Sequence, residues 1–134
     1  MHVIPLGRNA QCYHPEVGYK GTLFAGSNCP ICEVWLHKSE FPAHDQEGSL
    51  HYHMVDEIIV VVGGEMRVGN RKLRPGTALA IDANTHYGLG VGEEGLSFIN
   101  FRSSEALTVM LEDGTSVGPF TLVQNAPPQV TRCL

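Results

Sequence analysis

The feature that most constrains this chain is His51-Tyr52-His53-Met54-Val55-Asp56-Glu57, followed by Ile58-Ile59-Val60-Val61-Val62 and Gly63-Gly64. His51 and His53 are two residues apart, so on an extended strand both side chains leave the same face and can hold one ion. Glu57 cannot join them along a straight strand. Six residues at about 3.3 Å each would put it roughly 20 Å from His51, whereas ligand atoms sharing an ion at bond lengths of about 2.0–2.2 Å lie close together. The chain must therefore turn within Met54-Val55-Asp56, and Glu57 becomes the first residue of a second strand beside the histidines. The β-branched run that follows predicts a strand with both faces covered, ended by Gly63-Gly64.

Two imidazoles and one carboxylate leave coordination positions to fill, and His86 is the best candidate. It follows the turn Arg74-Pro75-Gly76, a short apolar strand Thr77-Ala78-Leu79-Ala80-Ile81 and a second turn Asp82-Ala83-Asn84-Thr85, and is expected to open a further strand. The series His51-x-His53-x3-Glu57-x6-Gly64, with a Pro-Gly turn, a strand, a turn and His86 beyond it, resembles the two signature motifs of the cupin superfamily. The first motif matches at every ligand. In the second, Ile81 to Thr85 replaces the usual Pro-x-Gly, and Gly90 stands where an asparagine is expected. The signature covers residues 48 to 86, and the strand pattern around it extends the barrel core to about 20–112 of a single domain, 1–134. The resemblance implies an all-β double-stranded β-helix, a jelly-roll barrel with irregular N- and C-terminal arms. Its interior would hold one divalent ion through His51, His53, Glu57 and His86. Paired histidines also occur on solvated strand faces, and a lone His86 means little; here ligand type, spacing and strand context agree.

At 134 residues the chain can bury a core without staples. Its net charge of −5, its pI of about 5.7 and the lack of any basic cluster larger than Arg71-Lys72 with Arg74 argue against nucleic acid and anionic membranes as partners. No apolar run has signal-peptide or membrane-spanning length, and the expectation is a cytoplasmic protein. Among the four cysteines, Cys29-Pro30-Ile31-Cys32 is a C-x2-C pair without the second pair that a zinc ribbon needs. It precedes a strand-like alternation rather than a helix, so free thiols near a barrel end are expected.

Residues 1 to 20, broken by Pro5, Gly7, Pro15 and Gly18, predict an irregular arm with room for one short strand. Gly21 to Gly26 and Cys32 to Lys38 read as strands. On the second, Val34 and Leu36 share one face while Trp35 and His37 share the other, and parity leaves open which looks inward. Ser39 to Gly48 is a loop at the barrel mouth containing His44. Gly69-Asn70 marks a two-residue hairpin between Glu65–Val68 and Arg71–Leu73. Gly92-Glu93-Glu94-Gly95 is expected to turn the chain before Leu96 to Phe101 closes the core, with either Phe98 and Asn100 or Ile99 and Phe101 facing inward. A last hairpin joins Leu107–Leu111 to Thr115–Val117, and the tail contains Pro127-Pro128. No stretch has a 3.6-residue apolar period. The 15 glycines and 8 prolines suit short strands joined by many turns.

Three imidazoles and a carboxylate suit iron(II), which the cupin reading favours, as well as manganese, nickel, copper or zinc. Ile59, Gly88, Asn100 and Trp35 are expected to line the space beside the ion, and Glu57 could act as a base. A metal-dependent dioxygenase acting on a small molecule is the leading expectation. The alternatives are a non-redox isomerase, lyase or decarboxylase, with Tyr52, Tyr87 or His44 as base, and a non-catalytic binding or sensor barrel. The resemblance also implies a homodimer, for which the apolar strand from Ile58 to Val62 and the terminal arms are suited.

Overall fold

A continuous β-branched run opens β5 (Glu57–Val68), aromatic and aliphatic residues interspersed with polar ones fill the second half of β8 (Gly90–Ser103), and these two long strands form the centre of the molecule. The computed structural model describes residues 10–14, 18–25, 34–43, 48, 50–103, 109–111 and 116–117, and every regular element among them is a strand. The others are β1 (Ala10–His14), β2 (Tyr19–Ala25), β3 (Val34–Phe41), β4 (His51–Tyr52), β6 (Arg71–Leu73), β7 (Ala78–Ile81), β9 (Val109–Leu111) and β10 (Ser116–Val117). One sheet runs β1-β2-β3-β8-β5-β6, with β7 also paired to β5. A second runs β10-β9-β4, and every pairing is antiparallel. The expectations for Cys29, Cys32, His44 and the tail beyond Val117 fall outside the described residues.

Register decides what faces inward. Directly opposite residues of an antiparallel pair share a face. Glu57 lies opposite Arg102, and Arg102 opposite Trp35. The next inward rung is Ile59, Asn100, His37 and Leu23; the one after it is Val61, Phe98 and Ser39. All of these side chains are buried. Trp35 with His37, and Phe98 with Asn100, are therefore the inward pairs that parity alone left open. Ile59, Val61, Met66, Ile81, Tyr87, Val91, Leu96 and Phe98 form the main apolar cluster. Each fully buried aliphatic side chain there contributes about 1.5–3 kcal/mol relative to exposure.

Three local expectations are corrected. Gly63-Gly64 does not end its strand: β5 continues to Val68, with register shifts between Val61 and Gly63 and between Gly64 and Met66. Gly92 to Gly95 does not separate two strands. Gly64 pairs with Leu96 and Met66 with Val91, so these residues bulge from a continuous β8. The two glycine regions meet, since a Cβ on Gly64 would run into the carbonyl of Gly95, and Gly64 holds φ at +67°. Finally, the run Ile58 to Val62 is covered on one face only within this chain, with Ile59 and Val61 fully buried but Ile58 and Val62 exposed by 45% and 43%.

Other turns agree with the sequence. β5 and β6 form the hairpin at Gly69-Asn70, where Gly69 takes φ +56°, and β9 pairs with β10. The chain turns between β4 and β5, placing Glu57 at the start of β5. Asp82 to Thr85 forms the expected turn, closed by Thr85 N–H donating to the Asp82 carbonyl at 3.2 Å.

Candidate functional site

The turn from Asp82 to Thr85 is pinned over the histidine strand. Asn84 N–H donates to the His53 carbonyl at 2.7 Å, and Ala83 N–H donates to Asp56 Oδ1 at 2.8 Å. The next residue pair sets the site. His51 N–H donates to the Tyr87 carbonyl at 3.0 Å and Tyr87 N–H returns the bond to His51 at 2.9 Å, so these two residues are directly opposite. Tyr87 therefore shares the face of His51 and His53, with its ring centroid 4.4 Å from that of His51. His86 points the other way. It is exposed, and its ring packs against Tyr52 at 4.5 Å.

Glu57 is the hub of the interior cluster. Tyr87 Oη donates to its Oε1, Asn100 Nδ2 donates to Oε2 at 2.6 Å, and Arg102 Nε lies 3.4 Å from Oε2. Arg102 Nε also donates to Asn100 Oδ1 at 2.8 Å, and its Nη1 lies 2.9 Å from His53 Nδ1. The same Nη1 lies 3.3 Å from His53 Nε2, so the guanidinium, which can only donate, faces both ring nitrogens. Trp35, directly opposite Arg102, donates from Nε1 to His37 Nδ1 at 2.9 Å.

Burial governs the protonation states. It pushes the Tyr87 phenol well above its usual range, and the charge of Glu57 and the hydrogen bond to it add to the effect, so Tyr87 is a proton donor. Burial also draws the Arg102 guanidinium downward, opposed by Glu57. Burial, with the nearby Arg102 and His53, lowers His37 to about 3, and the ring is neutral. A carboxylate gripped from one side by an amide and a guanidinium, with a phenol on its other oxygen, can exchange a proton with a bound molecule. The same donors can stabilise negative charge developing on that molecule.

The residues singled out from sequence divide accordingly. His53 approaches Glu57 and His51 packs its ring against that of His53, while His86 is exposed and packs against Tyr52. Ile59, Asn100 and Trp35 belong to the inward rungs; Gly88, half-buried and one residue past Tyr87, shares no rung with them. Arg102 was missed because the closing strand was ended at Phe101. The alternation Phe98-x-Asn100-x-Arg102 was the available signal.

For a metal, one pair of donor atoms stands within reach of a shared ion, but Arg102 Nη1 lies 3.3 Å from the same His53 nitrogen. His53 Nε2 stands 3.9 Å from Glu57 Oε1, a separation that one ion bonded at about 2.0–2.2 Å to each can span. The ring of His51 is centred 5.4 Å from that of His53. Among the described residues no three His, Cys, Asp or Glu side chains are gathered tightly enough to hold an ion as they stand. The additional oxygen donor at that point is Tyr87 Oη.

No family model and no curated protein sequence matches the chain. Solved structures do. An RmlC-like cupin protein from Ralstonia eutropha superposes with a TM-score of 0.67 at 12% identity, over 88% of this chain and 77% of that one. The polyketide cyclase RemF from Streptomyces resistomycificus gives 0.66 at 16% identity, over 84% and 85%. An acetylacetone dioxygenase from Acinetobacter johnsonii gives 0.62 at 14% identity, over 88% and 84%. Likeness at such identities is likeness of fold, and with the antiparallel strands and inward rungs described above it identifies this chain as a cupin-fold barrel.

Proposed function

We propose that this protein is a metal-dependent enzyme acting on a small molecule inside the barrel, with a dioxygenase reaction favoured and the ion held through His51, His53 and Glu57. The observation that carries the reading is the 3.9 Å approach of His53 Nε2 to a Glu57 oxygen, while the other oxygen of that carboxylate is fixed by Asn100 and Arg102. Two imidazoles and a carboxylate form the donor set of non-haem iron(II) oxygenases. The fold is shared with an acetylacetone dioxygenase. When bound, such an ion supplies Lewis acidity toward a chelating substrate and, as iron(II), redox chemistry with dioxygen.

The chain's own residues supply the rest. Asn100 and Arg102 orient Glu57. Ile59, Val61 and Phe98 exclude water beneath it, and Tyr87 offers a proton at Oη. An ion held through His53 Nε2 would require the Arg102 guanidinium, which faces both ring nitrogens, to give way.

The test is elemental analysis of protein purified without added metal, then reconstitution with iron(II) and measurement of oxygen uptake with acetylacetone as a chelating probe. One ion per chain and oxygen consumption, both lost in His53→Ala, are expected. Absence of an ion even after reconstitution sinks the metal reading. A second reading, non-redox proton transfer, is favoured by the Tyr87–Glu57 hydrogen bond. It gains if an ion binds, no oxygen is consumed, and solvent deuterium enters the bound probe.

A further inference from the structure

We infer that the inward face of β3 is a recognition subsite for a carbonyl oxygen of the molecule bound in the barrel, with His37 Nε2–H as its donor and the Tyr19–Ser39 hydroxyl pair beside it. The inference rests on that part of the reading above which places a small molecule inside the barrel, and it is independent of the ion.

Trp35 fixes the tautomer of His37. An indole N–H can only donate, and Trp35 Nε1 stands 2.9 Å from His37 Nδ1, so Nδ1 accepts and the ring proton is carried by Nε2. His37 lies directly opposite Asn100 on β8, on the rung that also holds Ile59 and Leu23, and only 9% of it is exposed. Its ring therefore faces the interior. Among the described residues no group accepts a hydrogen bond from Nε2. Buried donors are almost always paired. A histidine oriented by a second side chain, with its remaining N–H left open on the inward face, is arranged to donate to a bound molecule.

Ser39 continues the same face two residues on, and it too is buried. Its Oγ lies 3.2 Å from Tyr19 Oη. One of these hydroxyls donates to the other, which leaves the second proton for a further acceptor. Aromatic rings flank the donors: Phe98 is centred 6.5 Å from His37, and Phe41 lies 6.3 Å from Phe98 and 4.9 Å from Tyr19. The charge of Arg102 is met by Glu57, so these neutral donors suit a carbonyl oxygen on a small flat molecule better than a carboxylate, and a cation would meet the His37 proton instead of a lone pair. Asn100 joins the two regions. Its amide donates to Glu57 while its own rung holds His37, and positions opposite each other on paired strands are about 5 Å apart, so one small molecule can reach both.

The probe is acetylacetone, added with EDTA present so that no ion contributes. In protein carrying isotope-labelled histidine, the His37 ring, assigned through its contacts with Trp35, should show the Nε2–H tautomer by nuclear magnetic resonance. Its Nε2 proton should shift as the probe is titrated, a readout that needs no variant to fold. Calorimetry should find binding weakened by about 10-fold in His37→Leu, which removes the donor. His37→Gln still accepts from Trp35 and offers an amide N–H, and should return the affinity to near that of the wild type. An Nδ1–H tautomer, an Nε2 proton that stays in place at saturating probe because only water meets it, or equal affinity in the wild type and a folded His37→Leu overturns the subsite. Absence of probe binding in EDTA also overturns it, while elemental analysis and iron reconstitution decide the metal reading separately.

Discussion

Glu57 is a buried carboxylate whose charge is met by the buried guanidinium of Arg102 directly opposite it on β8. Breaking such a pair from one side typically costs about 3–5 kcal/mol, because the remaining charge stays buried without compensation. Arg102→Leu should lose this much stability in urea unfolding with chelator present, and a divalent ion should restore more stability to the variant than to the wild type. Equal unfolding midpoints in chelator would mean that the pair does not hold the site. His37 gives a pH signature. Burial keeps its folded value near 3 against an ordinary 6.5, so the unfolded chain takes up the proton first. The stability due to its neutral ring is complete above about pH 6.5 and is lost as pH falls toward 3, with a slope on the order of 1 kcal/mol per pH unit. His37→Gln, which can still accept from Trp35 Nε1, should flatten this slope in denaturant titrations between pH 4 and 7.

At the scale of elements, β5 and β8 bend where Gly64 meets Gly95. Gly64 needs a positive φ, and its missing Cβ makes room for the Gly95 carbonyl. Gly95 in turn would place a Cβ 2.7 Å from the Phe41 carbonyl. Gly64→Ala should therefore cost more than about 2 kcal/mol, since backbone on both sides must move. Gly69→Ala has the same left-handed requirement but no atom within 4 Å of the added methyl, and should cost about 1 kcal/mol. Thermal unfolding of the two variants compares strain plus collision with strain alone; equal losses would show that the crossing of β5 and β8 is not tightly packed. The bulge from Gly92 to Gly95 has the same origin. Small residues there let β8 keep pairing with β5 on both sides of the register shifts.

At the scale of the molecule, Ile58 and Phe101 are paired neighbours on the outer face of β5 and β8, exposed by 45% and 43%, with Val62 further along β5. Neighbouring apolar side chains on a sheet face mark a surface suited to association. A homodimer formed through this face is expected, with light scattering after size exclusion giving twice the 14.6 kDa chain mass. Val62→Lys should shift it to monomer. A wild-type protein that is monomeric at micromolar concentration would remove the dimer from the account. Among the described residues no helix is long and apolar enough to cross a membrane.

The sequence by itself determined the all-β class, the hairpin at Gly69-Asn70, the turns before Glu57 and at Asp82 to Thr85, and the approach of His53 to Glu57. These follow from local rules: the two-residue period of a strand, the reach of an extended chain, and turn chemistry at glycine, asparagine and proline. Which face of β3 and of β8 looks inward, whether Tyr87 or His86 stands beside Glu57, and that Arg102 neutralises the carboxylate were decided only in the tertiary structure. The reason is register. A one-residue slip between strands exchanges every inward side chain for its outward neighbour, and the hydrogen bonds between His51 and Tyr87 and the rung joining Glu57 to Arg102 set that choice between residues far apart in the chain.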